Sequence, residues 1–388
     1  MPKLHEDIYL IAALRTPIGK FGGALASLTA PQLGVASAKA TIERSGIDPN
    51  GIDEVIFGNA RQAGVGPNVA RQIAVKSGLR HEVPAYTVNQ ACGSGLRAIM
   101  NAADQIRLGH ARVVLAGGTE SMSNTPYLLT RARWGMRMGD GEVVDGMTRD
   151  GFMCPLADEM MGATAETLAD RYGISRREQD EYAVESQRRA KIAYDQNRFA
   201  GEIVPLEKLD HDEHPRFDVD LGSLAKLPAV FRKDGSVHAG NSSGVTDGAS
   251  SMLVASREAV AKYSLKPMAR IVGYAQAGVD PKIMGIGPVP ATKKLLADLG
   301  IPLSGIDLIE LNEAFAAQVL ACDRELNFDR EKLNVHGGAI ALGHPIGCTG
   351  ARITTTLLHA LQSRDKTIGL ATLCISGGMG LSMIVERV

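Results

Sequence analysis

The chain repeats itself. Residues 41–60 read TIERSGIDPNGIDEVIFGNA and residues 295–314 read LLADLGIPLSGIDLIELNEA. Each is the end of a helix, a turn containing Gly-Ile-Asp, and an apolar strand. A second pair follows in the same order: CGSGLRAIMNAADQIRLG against GCTGARITTTLLHALQSR, each a glycine-rich turn opening a helix. A third pairs RVVLAGGTESMS with TIGLATLCISGGMG. Three matches in one order at nearly one offset mean two copies of one α/β unit. Buried-strand runs (DIYLIAAL, EVIFGNA, RVVLAGG) alternate with helical patterns (PQLGVASAKATIERSG, GSGLRAIMNAADQIRLG), which fixes the class as α/β. A length of 388 residues is too great for one core and suits two.

Residues 119–248 break the pattern. They are polar, charged and irregular, with one helical run at EQDEYAVESQRRAKIAYDQNRFAGEIVP. They read as an insertion carried on the first copy. The organisation expected is therefore an N-terminal half of 1–118 plus about 249–267, the insertion at 119–248, and a C-terminal half of 268–388. Within the insertion, RARWGMRMGDGEVVDGMTRDG reads as a lid or a subunit contact, since functional loops sit on rigid scaffolds.

Composition excludes some functions. The formal net charge is -1 and no basic run is interleaved with aromatics, so nothing recruits nucleic acid or an anionic membrane. No apolar run is long enough to span a bilayer. The stretch MPKLHEDIYLIAALRTP reads as a first strand, not a signal peptide. Five cysteines, Cys92, Cys154, Cys322, Cys348 and Cys374, form no CxxC pair, which argues against a disulfide framework or structural zinc and for a reducing, cytoplasmic compartment. The one histidine cluster, HDEH at 211–214, reads as a solvated turn, and no metal is expected.

One of those cysteines is placed for chemistry. In NQACGSGLRA, residues 89–98, Cys92 lies where an extended run meets a helix, beside Gly93 and Gly95. A free thiol, with pKa ~8.5, is only slightly ionised at neutral pH, and a helix start favours its anion. The glycines let backbone amides approach a substrate oxygen. A packing cysteine in a helix-entry turn would have the same local sequence, so the remainder of the chain decides. The second copy adds a few residues before its helix and places His344 in a Gly-His-Pro-Ile-Gly loop, a candidate general base. Cys374 follows a strand, ahead of glycines. Asn312 and Glu313 follow another.

Together these segments resemble the thiolase family over nearly the whole chain. The resemblance rests on residues 89–98, NEAF at 312–315, GGAIALGHPIGCTGAR at 337–352 and CISGGMG at 374–380, with HAGNSSGVTDGA at 238–249 as a fifth, all in the family's order. It implies two thiolase halves stacked as five layers, α/β/α/β/α, with a loop domain inserted in the first, and a homodimer or homotetramer. It implies coenzyme A as cosubstrate and ping-pong cleavage of 3-oxoacyl-CoA, or the reverse Claisen condensation. Cys92 would carry the acyl group, His344 would act as its base, and Cys374 would be the acid/base at the α-carbon. Asn312 would hold an oxyanion-binding water, and the amides of Cys92 and Ser376 would hold a second oxyanion. The family usually has glycine where Ser376 stands, a change that matters only if the backbone there needs φ > 0. Coenzyme A contacts would fall on Arg216, Ser223, Leu224, Phe231, Ser243, Ala314 and Phe315.

Met160 and Met161 would line the acyl pocket. Biosynthetic acetoacetyl-CoA-forming members commonly have histidine at the position of Met160, so a flexible apolar methionine resembles degradative, β-oxidation-type members. The same-chemistry alternative is a short-chain acetyl-CoA C-acetyltransferase. A 3-oxoacyl synthase-type condensing enzyme lacks the second thiol. A non-catalytic acyl-CoA-binding relative would not retain all four reactive groups. A Cys92–Cys374 disulfide would make the pair a redox sensor layered on catalysis.

Overall fold

The computed structural model describes residues 7–388. Its two halves pair their strands in the same order. In the first, strand Ile8–Arg15 pairs with Thr246–Ser256, that with Val113–Ser121, then Glu54–Gly58, with Ala85–Val88 at the edge. In the second the order is Pro267–Gly278, Met379–Arg387, Ile368–Ile375 and Leu308–Leu311. Parallel and antiparallel pairings fall at the same places in both. The halves join where Ile8–Arg15 lies antiparallel to Pro267–Gly278, with Tyr9 opposite Arg270.

The insertion has a simple origin in this scheme. In the second half, Ile368–Ile375 and Met379–Arg387 form a hairpin closed by Ser376–Gly378. The equivalent strands of the first half also pair, Ser121 with Asp247, but the chain between them runs from residue 122 to residue 245. Its long helix, Arg176–Asp195, starts where the sequence says it should: Ser175 and Glu178 cap each other reciprocally. The segment around residues 131–143 lies exposed, with Trp134 88% and Met138 97% accessible.

Helices Ser94–Arg107 and Ile346–Ser363 form the middle layer, packed on each other and on the strands. Outside the first-half strands lie Ala30–Ser45 and Val69–Lys76. Outside the second-half strands lie Pro288–Leu299 and Ala316–Leu326. Five layers result. The middle layer is the driest: Leu96, Ile99, Ile106, Ile353, Leu357 and Leu361 share one core with strands of both halves. Each such burial contributes ~1.5–3 kcal/mol.

The two central helices cross closely because each has glycine at the contact. Gly95 and Gly350 occupy equivalent places in the repeat, Gly-Leu-Arg and Gly-Ala-Arg. A Cβ on Gly350 would overlap the backbone of Leu96, and one on Gly95 would press on the amide of Ala351 and the carbonyl of Cys348. Gly350→Ala should therefore lower unfolding free energy by about 1–3 kcal/mol, as overpacking does. Urea denaturation checks this; a variant as stable as wild type would mean the helices are free to shift apart.

Candidate active site

The central helices begin side by side, so the turns that precede them meet. Cys92 leaves strand Ala85–Val88 through a tight turn in which Ala91 takes φ 45°. A residue with a Cβ is uncommon in that region. Three hydrogen bonds hold it: Ala91 N–H to Asn89 Oδ1 (3.0 Å), Gln90 N–H to Ser94 Oγ (2.9 Å), and Ser94 Oγ–H to the carbonyl of Ala91 (2.7 Å).

His344 lies in the extra residues before the second central helix. Its N–H donates to the carbonyl of Gly244 (3.1 Å), tying the loop to the segment that carries Ser243. Its Nδ1 lies 2.6 Å from Thr349 Oγ1, and that hydroxyl donates to the carbonyl of Pro345 at 3.0 Å. A hydroxyl has one proton, so Thr349 accepts from Nδ1–H. This assigns the tautomer and leaves Nε2 as a bare acceptor, buried and without a protein partner among the described residues. Cys374 stands one residue before the end of strand Ile368–Ile375, 1% exposed. In the turn after it, φ is positive at Gly377 and Gly378 but not at Ser376, so serine there is unstrained.

Cys92, His344, Cys374 and Ser376 line one cavity of about 460 Å³, and so do Met160, Met161, Phe231, Ser243, Ala314 and Phe315. Ten positions singled out from the sequence thus meet, although they are spread over two halves and an insertion. Phe231 and Phe315 pack edge to face with centroids 6.2 Å apart. Asn312 does not line the cavity; it is wholly buried, with neither side-chain Oδ1 nor Nδ2 bonded to protein among the described residues. Arg216, Ser223 and Leu224 do not line the cavity. Arg216 is exposed, Ser223 caps the short Leu221–Ala225 helix through Asp220, and Leu224 is buried against Ala183, Ala316 and Ile340.

The electrostatics correct one expectation. The helix start was expected to hold the Cys92 thiol low. Burial outweighs it and pushes the thiol up, against the lowering effect of the Ser376 amide, Arg61 and its own amide. Burial, then Arg352 and Arg61, push His344 down to about 3. Both shifts favour the neutral thiol and the neutral imidazole. Burial also raises Cys374 well above the usual thiol range, with Cys92 nearby adding to it. Cys322 and Cys348 are both pushed up to about 12 by burial and do not line the cavity, so they are packing residues.

Three residues escaped the sequence reading. Thr349 carries a signal in hindsight, a hydroxyl in the first turn of the helix after a loop histidine. Glu120 is a buried acid on an apolar strand that accepts from Asn59 Nδ2 and from the amides of Ala60, Arg61 and Gly347, so it ties a first-half turn to the start of the second central helix. Arg61 lines the cavity. The 211–214 cluster is not a solvated turn. Asp212 is buried and accepts both Nη atoms of Arg15 (2.6 and 2.9 Å), while His214 is buried with Nδ1 at 2.9 Å from the carbonyl of Ala341. Among the described residues, no group of three or more His, Cys, Asp or Glu side chains is arranged to hold a metal ion.

Known proteins are similar to this chain over its length. The family description "Thiolase, N-terminal domain" matches residues 8–258, and "Thiolase, C-terminal domain" matches residues 265–387. The chain is 51% identical to an acetyl-CoA acetyltransferase of Escherichia coli strain K12, over 98% of this chain and 99% of that protein. It is 49% identical to an acetyl-CoA acetyltransferase of Pseudomonas aeruginosa, over 98% and 100%. The solved structure of human mitochondrial 3-ketoacyl-CoA thiolase in complex with CoA superposes with TM-score 0.97 at 43% identity, covering 100% of this chain and 99% of that one.

The neutral resting pair has a measurable consequence. Alkylation of Cys92 by iodoacetamide should rise with pH through and beyond the ordinary thiol range, ~8.5, without a neutral plateau. A plateau already reached below about pH 7 would instead show a preformed thiolate–imidazolium pair.

Proposed function

The chain belongs to the thiolase family, and we propose that it works through an acyl group carried on Cys92, with His344 and Cys374 moving the protons. Its activity is that of a thiolase, CoA-dependent cleavage of 3-oxoacyl-CoA or the reverse condensation. The observation that carries the reading is the presence of two thiols and one neutral imidazole on a single apolar cavity.

Nε2 of His344 takes the Sγ proton of Cys92, and the thiolate attacks C3 of the substrate. The amides of Cys92 and Ser376 hold the oxyanion. Collapse breaks the C2–C3 bond, and its electron pair becomes the enolate of acetyl-CoA. The new Nε2–H of His344, with a water on the unpartnered amide of Asn312, stabilises the enolate oxygen. Cys374 gives its proton to C2 and acetyl-CoA leaves. The Cys374 thiolate then deprotonates a second coenzyme A, whose sulfur attacks the acyl-Cys92 thioester. Acyl-CoA departs, and Cys92 recovers its proton from His344. Atoms and charge balance without an oxidant or reductant.

The insertion serves coenzyme A in this reading. Ser243, Ala314 and Phe315 hold the pantetheine arm along the cavity. Arg216, Ser223 and the backbone of Leu224 meet the nucleotide end, beyond the cavity. Met160 and Met161 form a soft wall that admits acyl chains longer than acetoacetyl, as in degradative members. We place the enzyme in a reducing cytoplasmic compartment, consistent with its five free cysteines, and as a dimer or tetramer using the exposed 131–143 segment.

A condensing enzyme with one active thiol is disfavoured by Cys374 on the cavity wall. The test separates the two thiols. Cys92→Ala should lose both acylation by a thioester donor and turnover. Cys374→Ala should still acylate Cys92 while carbon–carbon bond cleavage falls by about 10²–10⁴. Near-normal thiolysis in Cys374→Ala would remove it as the acid/base.

Thr349→Val offers a separate test, because the alanine-like loss of its oxygen frees the imidazole to adopt the other tautomer. We expect kcat to fall by about tenfold to a hundredfold, short of full loss of general base catalysis. Thr349→Ser should restore most of it. Unchanged kcat in Thr349→Val would mean that the tautomer is held elsewhere.

A further inference from the structure

Arg61 is a cation that the chemistry above does not use. It is 7% exposed, and its side chain lines the cavity beside Cys92. Among the described residues it forms no ion pair. Its guanidinium makes one hydrogen bond, Nη1 to the carbonyl of Asp150 at 3.0 Å, and Nε has no partner. Glu120 lies beneath the same turn and its carboxylate attracts Arg61 through space, but it forms no ion pair with it, its oxygens being taken by Asn59 and by the amides of Ala60, Arg61 and Gly347. Gly151 lies so close to the guanidinium that a Cβ there would overlap it. A buried arginine is stable when a counter-charge completes it, and carboxylate is the group its planar fork fits best.

The space next to Arg61 is also polar. A second cavity of about 260 Å³ adjoins the first and shares Ala60, Arg61, Asn89 and Asp150 with it. Gln62 and Thr125 complete its polar lining, and Thr125 Oγ1 is buried without a partner. The cavity that carries Cys92 thus opens, on its Arg61 side, onto a cation and an unpartnered hydroxyl as well as hydrocarbon. Arg149 and Asp150 also line the first cavity. Both are exposed, of opposite sign, and screened by solvent, so they act on the cavity less than the buried Arg61 does.

We propose that Arg61 recognises a carboxylate at the far end of the acyl chain, so that the preferred substrates are 3-oxoacyl-CoAs derived from dicarboxylic acids. This rests on the thiolase reading and names its substrate class. The carboxylate pairs with the guanidinium, replacing the water that otherwise solvates it, and the bond-breaking steps stay as described. Such a substrate must come from a reaction that oxidises the 3-position of a dicarboxylic acid mono-CoA ester. Its product is the ester of a shorter diacid.

The test compares two substrates of equal length, 3-oxoadipyl-CoA and 3-oxohexanoyl-CoA, which differ by a carboxylate in place of a terminal methyl group. Wild type should show the higher kcat/KM for 3-oxoadipyl-CoA. Arg61→Met should lower the ratio of the two kcat/KM values by about tenfold to a hundredfold, the usual worth of a charge-assisted hydrogen bond. Arg61→Lys should keep part of it. A wild-type preference for 3-oxohexanoyl-CoA overturns the proposal without any variant. So does an unchanged ratio in Arg61→Met. If both substrates fall equally in Arg61→Met and the pH midpoint of Cys92 alkylation rises, Arg61 serves the nucleophile instead and the proposal fails. Cleavage of acetoacetyl-CoA but of neither six-carbon substrate overturns it while leaving the thiolase reading intact. Failure to cleave any of the three removes both.

Discussion

The crossing of the two central helices is the contact on which the site depends. Gly95 and Gly350 let Ser94–Arg107 and Ile346–Ser363 approach so closely that a single added carbon would meet backbone. Their starts are thereby brought together, and the two turns that precede them carry Cys92 and His344. Because the helices share one dry core with strands of both halves, the relative position of nucleophile and base is set by packing of the whole molecule rather than by the loops themselves. Glu120 adds a second tie, since its carboxylate binds a first-half turn and the amide of Gly347 at once.

Duplication also explains why the two halves are chemically unequal. Equivalent strand pairs are closed by Ser376–Gly378 in one half and by residues 122–245 in the other. The short closure places Cys374 and the Ser376 amide on the cavity floor. The long one supplies the walls and roof, with Met160, Met161, Phe231 and Ser243. One scaffold thus presents rigid reactive groups from its helix and strand ends and adaptable apolar surface from its insertion.

Burial has a chemical price and a use here. It pushes the Cys92 and Cys374 thiols up and His344 down, so the reacting groups favour their neutral forms, and the charged side chains on the cavity wall are Arg61, Arg149 and Asp150. A mostly apolar cavity stabilises an oxyanion through aimed donors, which in the proposed mechanism are backbone amides, one imidazole and a water on Asn312. Proton transfer between neutral partners avoids holding a separated ion pair before substrate arrives.

Much of this was legible in the chain itself. The repeat marks the two halves because the same burial pattern is needed twice. Short motifs at Cys92, His344, Asn312 and Cys374 are legible because each is contiguous in the chain, beside a strand end or a helix start. Other features have no such string. Thr349, Glu120 and Arg61 act through partners 5 to 227 positions away, and only the folded chain shows that the Glu120 carboxylate meets Gly347. The 211–214 segment looks solvated by composition, yet Asp212 is buried because Arg15, distant in sequence, arrives to neutralise it. Whether Cys92 rests as thiol or thiolate was also decided by tertiary structure. The helix start that favours the anion is local, whereas the desolvation that outweighs it comes from every layer packed around the site. The sequence alone determined which residue types stand at the turns; packing decided their charge, their tautomer and the buried arginine they face.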